Sequence, residues 1–223
     1  MSQFNRWFDK PLGGAVAESI QKQIELNRVS VLGECLQIGT TTTILKNNHG
    51  FMHIHKFMPC FNTHANVIGT IDALPFANQS FSMVFLPFTL EVASDFSPLL
   101  NEVNRVLTDD GLILIAGINP WSLWGAAHLI CSNNLWSKGT KDIHLHSSLR
   151  LYAWLSSSGF QVDWIKSFFY RPPFSSKNTL KKTRFLEPIG QIFWPYPGGL
   201  YLLLAQKRTP QLLMRRAFGK VCA

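Results

Sequence analysis

The chain has 223 residues, of which 46% are hydrophobic and 15% charged, and its formal net charge is +8. This length is sufficient for one sizeable α/β domain and cramped for two, and the composition excludes a disordered chain. Because the four cysteines show no framework spacing and no signal peptide opens the sequence, we expect reduced thiols and a cytoplasmic protein.

The charge is distributed unevenly along the chain. Residues 1–137 carry 7 Lys and Arg against 10 Asp and Glu, whereas residues 138–223 carry 14 against 3. This asymmetry indicates a near-neutral core followed by a basic part that meets an anionic partner. A solvated basic surface without a partner explains the same pattern equally well.

The first half of the chain predicts a helix followed by four strands. "PLGGAVAESIQKQIEL" places Val16, Ile20 and Ile24 four residues apart, which indicates a helix within an N-terminal cap of residues 1–30. "VLGECLQIG" is typical of a buried strand, and "TTTTILKNN" predicts a short helix that a threonine hydroxyl caps. Further strands are expected at "FMHIHKF", "NVIGTI" and "FSMVFLPF".

The second half continues the alternation of helices and strands. The helix "FSPLLNEVNRVL" should end in a turn at Asp109-Asp110-Gly111 before the strand "LILIAG". Residues 111–131 are uncharged and long enough to span a membrane, but Asn119-Pro120 divides them into a strand and a helix, so we predict no membrane span.

A final helix and two strands complete the pattern. "HSSLRLYAWLSSSGF" predicts a helix that begins at Ser147 or Ser148 and ends at Gly159. "FQVDWIKSFFY" and "GGLYLLLAQ" read as strands joined by a long loop over residues 171–197. We therefore predict a single doubly wound α/β domain over residues 1–223, with a mainly parallel seven-stranded sheet and an antiparallel C-terminal edge hairpin.

Residues 69–117 carry a resemblance to a known family. Their "DALPF", "SFS" and "LNEVNRVLTDDG" stand where the methyltransferase type 11 group of class I S-adenosylmethionine-dependent methyltransferases has an acidic-small pair, an "LPF…SFD" turn and "LxEVxRVLxPGG". "LPFTLE", "NPWSLWG", "YRPP" and "GGLYLL" resemble a bacterial branch of that group. The resemblance implies that residues 31–137 form a cofactor-binding core and residues 138–223 a basic C-terminal part.

The resemblance also implies which residues contact S-adenosylmethionine. These cofactor candidates are Gln37, Gly39, Thr41, Asp72, Ala73, Leu86 and Phe88. The family's first strand ends in a pattern like "D-x-G-x-G-x-G", in which this chain keeps Gly39, has Gln37 at the acidic position and has Thr41 and Thr43 at the other glycines. Threonine does not readily adopt positive φ, and residues 35–71 contain no Asp or Glu for the ribose hydroxyls. The implied cofactor binding is therefore weak, unconventional or absent.

The methyl acceptor cannot be identified from the sequence. Asn119 and Trp121 follow the fifth strand, where substrates of open α/β folds bind, and they are the candidate substrate-binding residues. Glu91 follows the fourth strand and is a candidate catalytic base or orienting group. The alternative for Glu91 is a carboxylate that a helix N-terminus stabilises.

Two further hypotheses come from other classes of protein. His53, His55, Cys60 and His64 are zinc-compatible, but their spacing matches no known zinc finger, so we predict no metal site. The chain could instead be a methyltransferase-like scaffold without activity, which binds nucleic acid or a membrane surface through its basic C-terminal part.

Overall fold

The computed structural model of the chain describes residues 7–40, 42, 44–45, 51–58, 67–68, 70, 73–93, 95–130, 143–173, 182–183, 186–193 and 198–208. Its strands are β1 (Gly33–Ile38), β2 (Phe51–Met58), β3 (Val67–Ile68), β4 (Phe81–Pro87), β5 (Leu107–Ile118), β6 (Phe160–Phe168) and β7 (Leu200–Lys207). Its helices are α1 (Pro11–Leu26), α2 (Ser97–Val106), α3 (Leu123–Ile130), α4 (Ser148–Ser157) and α5 (Leu186–Phe193), and a 3₁₀ turn covers Leu90–Val92.

The strands form one mixed sheet in the order β3-β2-β1-β4-β5-β7-β6. Strands β1 to β5 pair in parallel, while β7 pairs antiparallel with both β5 and β6. Strand β3 has only two residues. The predicted α/β architecture with an antiparallel C-terminal pair is confirmed, and β7 lies inside the sheet while β6 forms its edge.

Two apolar clusters cover the two faces of the sheet. Along β4, Met83 and Phe85 belong to one cluster and Val84 and Leu86 to the other, because successive strand residues point to opposite faces. Helix α1 supplies its buried stripe to the first cluster, and α2 and α4 supply theirs to the second. The uninterrupted apolar run of β4 is therefore the signature of a strand buried on both sides.

Three local expectations differ from the structure. Thr42, Ile44 and Leu45 are not helical, because polar side chains around them bond the backbone in a turn and compete with helix formation. Strand β5 begins at Leu107, so the turn predicted at residues 109–111 lies within the strand as an irregularity, where Asp110 has a φ of +61° and the register with β4 shifts. Helix α5 lies within the stretch predicted as a loop, and its Pro188 falls in the first turn, where proline is tolerated.

The end signals of α4 are as predicted. Ser147 is the N-cap, and its hydroxyl accepts a hydrogen bond from the Arg150 backbone N–H at 3.3 Å. Gly159 follows the helix with φ of +85°, a conformation that glycine adopts without strain. Residues 111–130 divide between β5 and α3, and in the part of the chain that the structure describes, no helix has the length and apolarity to cross a membrane.

Candidate functional site

Gln37 lies at the end of β1, fully buried between β2 and β4. Its side-chain amide donates hydrogen bonds to the backbone carbonyls of Thr40 and Thr42, both at 2.9 Å. Its Oε1 is buried and has no hydrogen-bond partner among the described residues. Gln37 therefore holds the start of the threonine segment in a turn and leaves one amide oxygen available as an acceptor.

Gly39 occupies a position that excludes a side chain. Its φ is +102°, and a Cβ atom placed on it would lie 2.4 Å from Thr89 Oγ1. The Thr89 hydroxyl donates to the Ile38 carbonyl at 2.6 Å and so ties the end of β4 to the end of β1. The glycine is required by this close approach of two strand ends. Thr41 lies outside the described residues.

The segment after β3 is held in place by α2. Asp72 lies outside the described residues, and its neighbour Ala73 is exposed and bridges Thr70. Glu102 accepts from the Leu74 N–H at 2.9 Å, and the Arg105 guanidinium donates to the Leu74 and Phe76 carbonyls at 3.0 and 2.9 Å. Glu102 and Arg105 of "LNEVNRVL" therefore fix the loop that follows the cofactor candidates Asp72 and Ala73.

Leu86 and Phe88 are both buried, one in each core cluster. Phe88 adopts a φ of +53° and packs its ring against Trp7 and Phe8, with centroid separations of 6.1 and 5.9 Å. Both side chains pack as core residues do. That Leu86 and Phe88 contact the cofactor stays a prediction.

Glu91 is buried in the 3₁₀ turn that follows β4. One carboxylate oxygen, Oε1, accepts from the Ile118 N–H at 2.9 Å, whereas Oε2 has no hydrogen-bond partner among the described residues. Burial raises the pKa of Glu91 to about 7, and the bond from Ile118 opposes that shift. A carboxyl group with this pKa can exchange a proton near neutral pH.

Tyr201 on β7 is a second buried polar group near Glu91, and the sequence analysis did not identify it. A Cβ atom on Gly117 would lie 2.3 Å from the Tyr201 hydroxyl and 2.6 Å from Glu91 Oε1, so both oxygens pack against this glycine. Burial and the Glu91 charge raise the pKa of Tyr201 well above its usual value. No sequence pattern indicates that Tyr201 lies near Glu91, since a tyrosine in an apolar strand is typical of a core residue.

Asn119 and Trp121 line the same cleft, which has a volume of about 850 Å³. The other walls come from the end of α1, the start of α4 and the edge strand β6, through residues that include Asn27, Ser147 and Lys166. Trp121 is 81% exposed, and its backbone N–H donates to Asn119 Oδ1 at 3.1 Å. The structure thus brings together the two residues predicted to bind substrate.

His53 and His55 share one acidic partner on β1. Their ring nitrogens lie 2.9 and 2.7 Å from the two carboxylate oxygens of Glu34, and these contacts lower the pKa of Glu34. Cys60 and His64 lie outside the described residues. Within the described residues, no group of three or more His, Cys, Asp or Glu side chains is arranged to hold a metal ion.

Comparisons with known proteins agree with this architecture. The family model of a methyltransferase domain matches residues 49–115. The chain is similar to the uncharacterized protein YafS of Escherichia coli, with 31% identity over 63% of this chain and 54% of YafS. It is also similar to malonyl-[acyl-carrier protein] O-methyltransferase 1 of Coxiella burnetii, with 35% identity over 26% of this chain and 20% of that protein.

Solved structures share the fold of the whole domain. A SAM-dependent methyltransferase of Thermotoga maritima, described as a possible histamine N-methyltransferase, aligns over 93% of this chain and 96% of its own with a TM-score of 0.64 and 15% identity. Residues 49–115 therefore match a methyltransferase domain, and the chain as a whole has the class I, Rossmann-like fold of S-adenosylmethionine-dependent methyltransferases. The chain spans about half the length of YafS.

Proposed function

We propose that this protein transfers a methyl group from S-adenosylmethionine to a small acceptor. The proposal rests on the methyltransferase domain match at residues 49–115, on the fold and on the relationship to the Coxiella burnetii O-methyltransferase. The single observation that carries it is this match, because it covers four of the cofactor candidates, Asp72, Ala73, Leu86 and Phe88. The acceptor itself stays unidentified.

The polar groups at the end of β1 fit an adenosyl ligand. Oε1 of buried Gln37, which has no partner within the described part of the chain, is a neutral acceptor at the position where the family carries an acidic residue. Gln37, Gly39, Thr41, Asp72 and Ala73 would hold the cofactor, with Leu86 and Phe88 supporting the pocket from the core. When bound, S-adenosylmethionine supplies an activated methyl group on a sulfonium centre.

A neutral amide is a weaker acceptor than a carboxylate. Replacing a charge-assisted hydrogen bond by a neutral one lowers affinity by roughly one to two decades. Asp72 is the only carboxylate among the cofactor candidates. We therefore expect the affinity for S-adenosylmethionine to be modest and to depend strongly on Asp72.

The cleft at Asn119 and Trp121 is the proposed acceptor site. The exposed Trp121 ring offers an apolar face, and Asn119 places an amide beside it. Glu91 does not line this cleft, so its proposed part is to hold the Gly117-Ile118 backbone at the end of β5 through its bond to Ile118.

Calorimetric titration with S-adenosylmethionine tests the proposal. The native protein should release or absorb heat with a saturable curve, and Asp72→Ala should weaken binding roughly ten- to hundredfold. Asp163→Ala, which removes an exposed carboxylate from β6, is the matched control and should bind as the native protein does. No heat at millimolar cofactor would contradict the proposal.

The salt dependence of nucleic-acid binding tests the scaffold alternative. A protein that binds nucleic acid through residues 138–223 should lose affinity steeply as salt is raised, since each phosphate contact releases counterions. The comparisons do not favour this alternative. Most lysines and arginines of residues 138–223 lie outside the described residues.

A further inference from the structure

A second cavity, of about 370 Å³, lies between the end of α3 and the start of α4. Four of its lining side chains are basic: His128, His144, His146 and Arg150. It shares no lining residue with the Asn119–Trp121 cleft. Nothing in the proposed methyl transfer uses these four side chains.

No acidic residue among the described residues lines this cavity. Two carboxylates lie near its walls, and each is directed to a backbone group elsewhere. Asp95 accepts from the Ser97 N–H at 2.9 Å, and Glu91 accepts from the Ile118 N–H. The Ser97 hydrogen bonds and, more weakly, the charge of Arg150 lower the pKa of Asp95, so Asp95 is a counter-charge near Arg150, while no described carboxylate lines the cavity itself.

His146 supplies an unsatisfied polar atom at this cavity. The ring is only 4% exposed, and its Nε2 lies 3.2 Å from the Leu90 carbonyl. A carbonyl accepts only, so Nε2 carries a proton and donates it. The other nitrogen, Nδ1, is buried without a hydrogen-bond partner among the described residues, as is Nδ1 of His128. Because Nε2 holds the proton of the neutral ring, Nδ1 is an acceptor there, and it can donate to an anion only when the ring is protonated.

Phe96 holds the basic groups in place. The Arg150 guanidinium carbon lies 5.3 Å from the centroid of the Phe96 ring, and the His146 ring packs on the same phenylalanine with centroids 4.9 Å apart. Arg150 also belongs to the first turn of α4, which Ser147 caps. A cation fixed in this way loses little conformational entropy when it binds a ligand.

We propose that this cavity binds a small oxyanion group, a phosphate or a carboxylate, through Arg150 and the three histidines. A planar guanidinium presents paired N–H donors that match both anions, and a protonated imidazole adds further donors. The proposal goes beyond the methyl-transfer function and does not depend on it. The site is nevertheless connected to Glu91, because the backbone N–H of His144 donates to the Glu91 carbonyl at 2.8 Å.

The electrostatic state of His146 agrees with this assignment. Burial lowers the pKa of His146, and the charges of Arg150 and His144 lower it further, while the carbonyls of Leu90 and Ala93 act in the opposite direction. A bound anion offsets the repulsion from Arg150 and His144, so it should raise the pKa of His146.

Histidine NMR signals of the full chain, titrated with inorganic phosphate at constant ionic strength, test the proposal. Phosphate should saturably shift the His128 and His146 signals and raise the pH midpoint of His146. Arg150→Gln should weaken phosphate binding roughly ten- to hundredfold. Because Arg150 is exposed, this variant should fold as the native protein does. Parallel titrations with acetate and with phenyl phosphate distinguish a carboxylate from a phosphate, and a free ion from an anionic group on a larger molecule.

Two controls keep the result specific. Lys166→Gln removes a cation from the larger cleft, and His53→Gln removes a histidine from β2, where its ring contacts Glu34; both should bind phosphate as the native protein does. His144→Gln, at a second exposed position of the cavity, should weaken binding in the same direction as Arg150→Gln. Phosphate affinity that is equal in native protein, Arg150→Gln and His144→Gln would overturn the proposal, as would an absence of any shift at His146.

Discussion

Glu91 is an acid whose environment favours the neutral form. Its carboxyl is fully buried, and only one of its oxygens has a hydrogen-bond donor among the described residues. Burial therefore raises the folded-state pKa to about 7, from the ordinary value of 4.5. The native state binds this proton more tightly than the unfolded chain does, so the contribution of Glu91 to stability decreases as pH rises from 4.5 through 7.

We therefore predict that the free energy of unfolding falls by about 2 kcal/mol between roughly pH 5.5 and pH 8 through Glu91 alone. Glu91→Gln keeps an acceptor for the Ile118 N–H and cannot ionise, so it should remove this part of the pH dependence. Denaturant unfolding at the two pH values measures the effect. Glu18→Gln, at an exposed position of α1, should retain the native pH dependence.

An identical pH dependence in the native protein and Glu91→Gln would contradict the raised pKa. The prediction concerns stability, so it stands or falls without knowledge of the acceptor.

Gly39 gives a second prediction at the level of one residue. Gly39→Ala places a Cβ atom 2.4 Å from Thr89 Oγ1 at a φ of +102°, so the variant should lose stability by about 1–3 kcal/mol from backbone strain, and more from the contact. Gly14→Ala is the matched control, because a Cβ there meets no atom within 4 Å. It should raise stability by about 0.5–1 kcal/mol. Equal effects of the two changes on thermal unfolding would contradict the assignment.

Sequence could indicate the position of these residues but not their environment. Gly39 was identified as the surviving glycine, yet its contact with Thr89 depends on the parallel pairing of β1 with β4, which brings together residues about fifty positions apart. Glu91 was weighed as a helix-end carboxylate, because nothing local shows that a residue after a strand is enclosed by β5 and β7. Tyr201 and His146 were missed for the same reason.

At the level of elements, α2 does more than cover the sheet. Glu102 and Arg105 stand three residues apart on its polar side, bind each other at 2.8 Å and together bond the backbone of residues 74 and 76. The segment that follows the cofactor candidates Asp72 and Ala73 is thereby attached to a helix that is packed into the core. This connection gives the family motif a physical role that spacing alone could not show.

We predict that Arg105→Lys loosens this segment. A lysine ammonium cannot reproduce the guanidinium fork that reaches two carbonyls, Asn78 and Glu102. Amide hydrogen exchange of residues 74–80 should become roughly tenfold faster, as expected for the loss of one charge-assisted hydrogen bond. Arg28→Lys, at an exposed position after α1, should leave that exchange unchanged. Unaltered exchange in Arg105→Lys would remove the proposed role of the pair.

The elements were predicted best where apolar periodicity was strong. The stripe of Val16, Ile20 and Ile24 and the uninterrupted apolar strands gave α1, β4 and β5. The sequence predicts a loop where α5 lies, because residues 171–197 contain five prolines, one of them the Pro188 of the helix itself. Gly190 of α5 is explained only in three dimensions, since a Cβ atom there would lie 2.2 Å from the Tyr170 ring.

For the whole molecule, the two core clusters predict a single cooperative unit. Ile20→Ala removes a buried side chain from the cluster beneath α1, and Leu151→Ala removes one from the cluster beneath α4. Each should cost about 2–5 kcal/mol, and both should lower one shared unfolding transition, because the same sheet separates the clusters.

Leu26→Ala, at a position 64% exposed, is the control and should change stability little. Calorimetric scans of the three variants provide the measurement. Two separate transitions, with only one of them affected by Ile20→Ala, would show that the predicted N-terminal cap of residues 1–30 unfolds on its own. That result would contradict a single domain.

The position of β7 has a consequence for the order in which the molecule can assemble. β7 is the last of the described strands along the chain, yet it lies between two strands that precede it. While a ribosome is still making residues 198–208, β5 has no partner along one edge and β6 lacks the strand with which it pairs, and such edges invite pairing with other chains. Any nascent chain that stalls before this point should be a preferred target for chaperones or proteases.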